Sequence, residues 1–254
     1  MRAPIDTISA PPIPGGLAWI NVASLRMDKQ LGRPVLLEFW DFCRVNSLRS
    51  LDYVRAWHER YAAAGLRVIS VHAGGYPPSQ DPAQVRDAVA RLGIEHPVVL
   101  DTDFALWREY GNEGWPARYL FDRDLHLHSF HYGEGAYDET EAEISELLGA
   151  QLAPLAPVRP EDASGAALVV PTPEQEGPWS GPYEAGAVWA VLEPGAATVA
   201  GPPPAIRANG TEIAVPHAGC FALVEHERHT AGVLELELGD GVTCHAVQFT
   251  AGLA

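Results

Sequence analysis

Apolar residues follow two rhythms along this chain, and the rhythm changes once. Between Pro34 and about Leu148, short apolar runs alternate with amphipathic stretches; from Gly186 to Phe249, short alternating runs are separated by turn pairs. The run Pro34–Trp40 (PVLLEFW) is short and almost wholly apolar, which predicts a buried strand. Asn46–Ala64 sets Leu48, Leu51, Val54, Trp57 and Tyr61 at helical spacing and stops at Gly65. Leu66–His72 predicts a second strand. Asp81 before Pro82 reads as an N-cap followed by proline at the first helical position, opening a helix to about Leu92. His96–Leu100 predicts a third strand, and a short helix follows from about Asp103 to Tyr110. Ala117–Phe121 and Leu125–Tyr132 predict a hairpin across Asp122–Asp124, and Asp138–Leu148 a closing amphipathic helix. Alternating strands and helices with a terminal hairpin imply a mixed sheet covered by helices, an α/β fold.

The second rhythm is all-β. Ala205–Ala208 and Thr211–Val215 flank Asn209-Gly210, the pair that suits a type I′ hairpin turn. Val233–Leu238 alternates Leu and Glu, and Gly239-Asp240-Gly241 turns the chain into Val242–Phe249. This spacing implies a small sandwich of short strands. Residues 1–152 form the expected first domain, 153–182 a linker rich in Pro, Ala and Glu, and 183–254 the sandwich.

Charge and cysteine narrow the functional classes. The 17 basic and 33 acidic residues sum to −16, which argues against nucleic acid and against an anionic membrane surface as partners. No apolar run is long enough for a transmembrane helix. The N-terminal MRAPIDTISAPPIPGG lacks the apolar centre of a secretory signal. Three scattered cysteines, Cys43, Cys220 and Cys244, make neither a disulfide framework nor a zinc finger, and the expected location is the cytoplasm. A bond between Cys220 and Cys244 requires neighbouring strands; two buried thiols are expected instead. No phosphate-binding glycine loop and no GxSxG elbow is present. No cofactor is expected.

The segment VLLEFWDFCRVNSLRSLDY (residues 35–53) resembles the entry strand and first helix of the thioredoxin-like redoxins, most of all the TlpA and DipZ type. The resemblance runs over about residues 15–148. It includes His72 at the end of the second strand, the segment from Asp81 to Asp124, Trp115-Pro116 at the family's cis-proline, and His131, Gly133, Glu134 and Tyr137 in HYGEGAY. The C-terminal part more loosely resembles the β-sandwich that follows the redoxin domain in DipZ-type proteins. The family carries a Cys-x-x-Cys pair six and nine residues after the acidic position. Counted from Glu38, those positions are Arg44 and Ser47, and Asp52 replaces the usual helix proline. Dithiol exchange needs an attacking thiolate and a resolving thiol. Neither replacement supplies one.

What remains around that position defines the candidate site. Cys43 is one residue away from the family nucleophile; beside Arg44 and near a helix start, its thiol could be activated. Arg44 is expected to turn inward and pair with Glu38. The alternative is an anion pocket made with the helix N–H groups and the loop before Pro116. Trp40, Phe42, Trp115 and Tyr137 could line a small apolar groove beside the cis-proline, where thioredoxin-like proteins pair with extended peptides. His126 and His128 share a strand face, but nothing completes a metal set, and no metal is expected. Three functions follow. The leading one is a non-catalytic binding module for a peptide, protein or small molecule, using the vestigial groove at Glu38, Trp40, Arg44, Ser47, His72, Trp115, Pro116, Glu134 and Tyr137. The second is a thiol- or peroxide-reactive protein using Cys43 alone. The third is carbohydrate binding through Trp179, Tyr183 or Trp189 of the sandwich. A short-stranded sandwich edge could also support a homodimer.

Overall fold

A computed structural model describes residues 8–195 and 202–254. The expectation that the N-terminus is not a secretory signal falls in part on residues 1–7, outside the described residues. The chain divides into two units. The first comprises Met1–Asp41 and Asn46–Val158; the second comprises Phe42–Val45 and Arg159–Ala254.

The first unit is built on β1 (Trp19–Ile20), β2 (Val35–Trp40), α1 (Val45–Tyr61), β3 (Arg67–His72), α2 (Pro77–Gln80), α3 (Pro82–Arg91), β4 (Val98–Leu100), α4 (Ala105–Glu109), β5 (Ala117–Phe121), β6 (Leu127–Tyr132) and α5 (Tyr137–Leu148). Six strands make one mixed sheet in the order β1-β4-β3-β2-β5-β6. The central strand β2 is parallel to β3 and antiparallel to β5. Its continuous apolar run follows from this position. Val35, Leu37 and Phe39 pack with Met27, Ile69 and Val99 on one face. Leu36 packs with Val54, Trp57, Tyr61 and Ile144 on the other. Both faces are dry, so no polar alternation is needed.

Local signals place the helix starts. The Asp81 carboxylate accepts the Ala83 N–H at 2.9 Å, with Pro82 at the first helical position of α3; such a cap contributes about 1 kcal/mol. The start of α4 lies within two residues of the expected Asp103, and its cap comes from further back. Asp103 does not cap it; Asp101 does, accepting from Leu106 N at 3.0 Å and Trp107 N at 2.8 Å. Phe104, at φ +56°, turns the chain so that the buried Asp101 reaches past the Asp103 position.

The second unit is β7 (Leu168–Val169), β8 (Gln175–Glu176), β9 (Gly181–Pro194), β10 (Ala205–Ala208), β11 (Thr211–Ala214), β12 (Gly219–Leu234), β13 (Leu236–Leu238), β14 (Val242–Thr250) and β15 (Gly252–Leu253). Its sheets run β12-β9-β14-β8, β11-β10-β13 and β15-β7. The first two share one apolar cluster, with Val188, Leu192 and Phe249 from one and Ile206 and Ala208 from the other. Asn209 (φ +49°) and Gly210 (φ +80°) form the β10–β11 turn, and Ala208 pairs with Thr211. Both central residues of a type I′ turn need positive φ, which Asn and Gly tolerate.

Two features depart from the short-strand reading. β9 and β12 span 14 and 16 residues. The run Val233–Leu238 is split: Leu234 ends β12, whereas Leu236–Leu238 pairs with β10. Alternation cannot register that break, because each half keeps the same period. The stretch 153–182 holds a 3-10 turn at Pro160–Asp162 together with β7 and β8.

Candidate functional site

In the first unit, β2 delivers Glu38, Trp40 and then Asp41, all fully buried. Trp40 lies edge-on to the His72 ring at 4.9 Å. Asp41 organises the strand end: its Oδ2 accepts the Gly75 N–H at 2.7 Å, and its Oδ1 lies 4.0 Å from His72 Nε2. The Asp41 N–H donates to Ser47 Oγ at 3.2 Å. Burial pushes the His72 imidazole down to about 3, so it stays neutral near pH 7.

Glu38 takes its electrostatic partner from β5. Register pairs it directly with Arg118, which puts both side chains on one sheet face. Burial raises the Glu38 carboxyl to about 8; Arg118 and a hydrogen bond from Ser70 oppose that rise. Arg118 is itself buried, donating to Ser50 Oγ at 3.0 Å and to the Gly135 carbonyl, with its guanidinium 4.9 Å from the Tyr137 ring centre.

The expected groove loses three of its four walls: Trp40, Phe42 and Tyr137 are all buried. Tyr137 stacks on Tyr53 at 3.8 Å and is buried beneath Arg118. Trp40 is sealed inside the core. Their rings are drawn away because α1 and α5 close over that face of the sheet. Trp115 is half-buried. It packs against Trp107 at 4.3 Å, and its Nε1–H donates to the Ala73 carbonyl at 2.8 Å. The Trp115–Pro116 bond is cis. Glu134 pairs with Arg49 at 2.7 Å.

In the second unit, residues 42–45 are held by C-terminal side chains. Gln248, in β14, accepts the Val45 N–H at 2.9 Å and donates to the Cys43 carbonyl at 3.1 Å. The Cys220 thiol donates to the same Gln248 oxygen at 3.6 Å. Arg44 pairs with Glu174 at 3.5 Å, which corrects the expected pairing with Glu38. A cation at a helix start is opposed by the helix dipole, and Glu174 supplies the compensating carboxylate. The anion-pocket alternative also loses a donor, because the Val45 N–H is already taken. Cys43 has no exposed surface.

Cys220 and Cys244 are free thiols on β12 and β14, which flank β9 on opposite sides and so are not neighbours. Cys244 is buried, whereas Cys220 is only half-buried, contrary to the expectation of two buried thiols. Two of the three expected sugar-stacking aromatics are engaged elsewhere, and Trp189 on β9 is half-buried. Tyr183 is buried and its hydroxyl meets His226 Nε2 at 2.9 Å, while Trp179 lies edge-on to Phe249 at 5.7 Å.

Sequence reading missed Asp41, Ser70, His96, Arg118, Glu174 and Gln248. The signal for Arg118 was available: a charged residue inside the apolar run ARYLF is costly unless paired. Nothing local marks Gln248, whose backbone partners at Val45 and Cys43 lie over 200 positions away.

No family model matches the chain. Protein DipZ of Mycobacterium tuberculosis is 34% identical over 143 residues, which are 55% of this chain and 21% of DipZ. The chain thus spans about a fifth of the length of that relative. Thiol-disulfide oxidoreductase YkuV of Bacillus subtilis is 27% identical over 138 residues, covering 54% of this chain and 93% of YkuV. The solution structure of a thioredoxin-like protein in the oxidized form superposes with a TM-score of 0.51 at 26% identity, over 56% of this chain and 95% of that one. The thioredoxin-like superfamily protein SPOA0173 gives a TM-score of 0.50 at 20% identity, over 58% of this chain and 100% of that one. No helix among the described residues is long and apolar enough to cross a membrane. The mixed sheet and its helices are a thioredoxin-like fold, in a chain related in sequence to DipZ and to the thiol-disulfide oxidoreductase YkuV.

Proposed function

We propose that this chain is a thioredoxin-like protein that has given up dithiol exchange and serves as a non-catalytic binding module at its vestigial site. One observation carries the reading: the two positions that the resemblance assigns to cysteines hold Arg44 and Ser47, and both side chains already have structural partners. Arg44 pairs with Glu174, and Ser47 Oγ accepts the Asp41 N–H. The nearby Cys43 is fully buried and its carbonyl accepts from Gln248, a poor setting for a nucleophile. Half-buried Trp115 is the wall of the expected groove left to meet an extended peptide segment. The reading places the protein in a reducing cytoplasm, where its three cysteines remain thiols.

The test is disulfide reduction with insulin as substrate and dithiothreitol as electron source, together with consumption of hydrogen peroxide. The chain is expected to accelerate neither reaction, while Arg44→Cys/Ser47→Cys gains insulin reduction. Turnover by the unaltered chain that disappears in Cys43→Ser overturns the proposal and establishes single-cysteine chemistry.

A further inference from the structure

A row of polar side chains crosses the core of the first unit on the sheet face covered by α1. Arg118 on β5 is directly opposite Glu38 on β2, and Glu38 is directly opposite Ser70 on β3. Ser70 Oγ lies 3.2 Å from Glu38 Oε2 and 2.7 Å from His96 Nε2. His96 sits just before β4, with its ring 5.5 Å from that of His58 on α1. All four members of the row are buried. Beyond His96 the row meets a cleft of about 420 Å³, lined by Arg55, His58, Glu59, Gly93, Glu95 and His96 itself. Burying three hydrogen-bonded polar side chains in a row is costly unless every link is made. Here Glu38–Ser70–His96 is linked, but at its two ends Glu38 Oε1 and His96 Nδ1 are buried without a hydrogen-bond partner among the described residues.

We propose that Glu38 exchanges its proton with solvent through Ser70 and His96, with His96 Nδ1 as the mouth of the path in the cleft. The hydrogen-bond directions permit two arrangements. With Glu38 ionised, Ser70 donates to the carboxylate and His96 Nε2–H donates to Ser70 Oγ, leaving Nδ1 as a lone pair. With Glu38 protonated, the carboxyl donates to Ser70 Oγ, Ser70 donates to Nε2, and the proton of His96 lies on Nδ1. A proton arriving from the cleft bonds to Nδ1. The Nε2 proton passes to Ser70 Oγ, and the original Ser70 proton passes to Glu38 Oε2. One N–H bond and one carboxyl O–H bond form, and the Nε2–H bond breaks. Ser70 ends with one proton as it began, and the imidazole begins and ends neutral. No electron moves.

The surroundings suit such a path. Burial holds His96 far below the usual imidazole range, to about 3, so the ring relays a proton without storing charge. Besides burial, His58 and Arg55 oppose a cationic His96, and at His58 burial and Arg67 oppose a cation while Glu95 favours one. On the Glu38 side, Arg118 is the facing cation; Ser50 of α1 and Tyr137 of α5 act on Arg118. Glu38, raised to about 8, changes state near neutrality and gives the path a proton to carry. The inference does not depend on the proposed binding function.

The experiment is a pH titration of the full chain labelled with 15N-histidine and 13C-glutamate. Two-bond nitrogen–proton correlations report the His96 tautomer, and the carboxyl carbon reports Glu38. In the unaltered chain, His96 is expected to switch from Nδ1–H to Nε2–H with the same midpoint as Glu38 ionisation. Ser70→Ala should leave the Glu38 titration in place and abolish the switch, and Glu38→Gln should fix one tautomer. A His96 tautomer that stays constant while Glu38 titrates overturns the inference, as does a switch that survives Ser70→Ala. A Glu38 carboxyl that does not titrate between about pH 5 and about pH 10 overturns it as well. The titration of the unaltered chain decides the matter even if a variant fails to fold.

Discussion

Replacing Gln248 tests whether its carboxamide holds residues 42–45. The amide bridges two buried backbone groups, accepting from Val45 N–H at 2.9 Å and donating to the Cys43 carbonyl at 3.1 Å. Val45 and Cys43 are 2% and 0% exposed, so water does not readily replace either bond. A buried polar group left without its partner costs about 1–3 kcal/mol, so two together cost about 2–6 kcal/mol. Local relaxation around the vacated amide brings the expectation to the lower half of that range, about 3 kcal/mol. Gln248→Met isolates the hydrogen bonds, since Met nearly matches Gln in volume but offers only a weak acceptor. Gln248→Ala adds a cavity. If the hydrogen bonds dominate, Met should cost nearly as much as Ala. Urea unfolding followed by far-UV circular dichroism gives the global value, and the alkylation rate of Cys43 gives the local one. Both variants should lower the unfolding midpoint and expose Cys43 to iodoacetamide. A Gln248→Met variant within about 0.5 kcal/mol of the parent would refute the account, because that is the ordinary scatter of substitutions without structural consequence.

Asp101→Ala removes both caps of α4, at Leu106 N and Trp107 N, and should cost about 1–2 kcal/mol in the same urea assay, whereas Asp103→Ala should cost almost nothing. The buried ionisable groups set a stability profile with pH. Glu38 is raised to about 8, so between the unfolded value of 4.5 and about 8 the native state holds the extra proton and stability falls as pH rises, by about 1.4 kcal/mol per unit. His72 and His96 are lowered to about 3, so below the unfolded value of 6.5 the unfolded state binds more protons and stability falls as pH falls. The three groups together place the maximum near pH 6.5, and Glu38→Gln should flatten the alkaline limb and steepen the acid limb between about pH 4.5 and 6.5; an unchanged alkaline limb would contradict the assigned direction for Glu38.

The thioredoxin-like half was legible because its determinants are local. The run Val35–Trp40 is apolar on both faces, α1 repeats Leu51, Val54, Trp57 and Tyr61 at helical spacing, and Asp81-Pro82 marks a helix start within two residues. The Asn209-Gly210 turn was legible for the same reason, since the two residues themselves supply the positive φ that the turn requires. Arg44 and Ser47, at the positions that the resemblance assigns to cysteines, were equally legible, and the proposed loss of the dithiol starts from them. What depended on partners was not. The sequence reading gave Arg44 to Glu38; only the fold brought Glu174 to Arg44, while strand register gave Glu38 to Arg118. Tyr137 matched a family motif, yet the closure of α5 over Tyr53 took it out of the groove. The split of Val233–Leu238 between two sheets was invisible, because alternation reports the period of a strand and not which neighbour it pairs with. Periodicity and local turn and cap residues thus determined the elements; tertiary structure alone decided which buried charge faces which, since those pairings join residues that nothing in the local sequence connects.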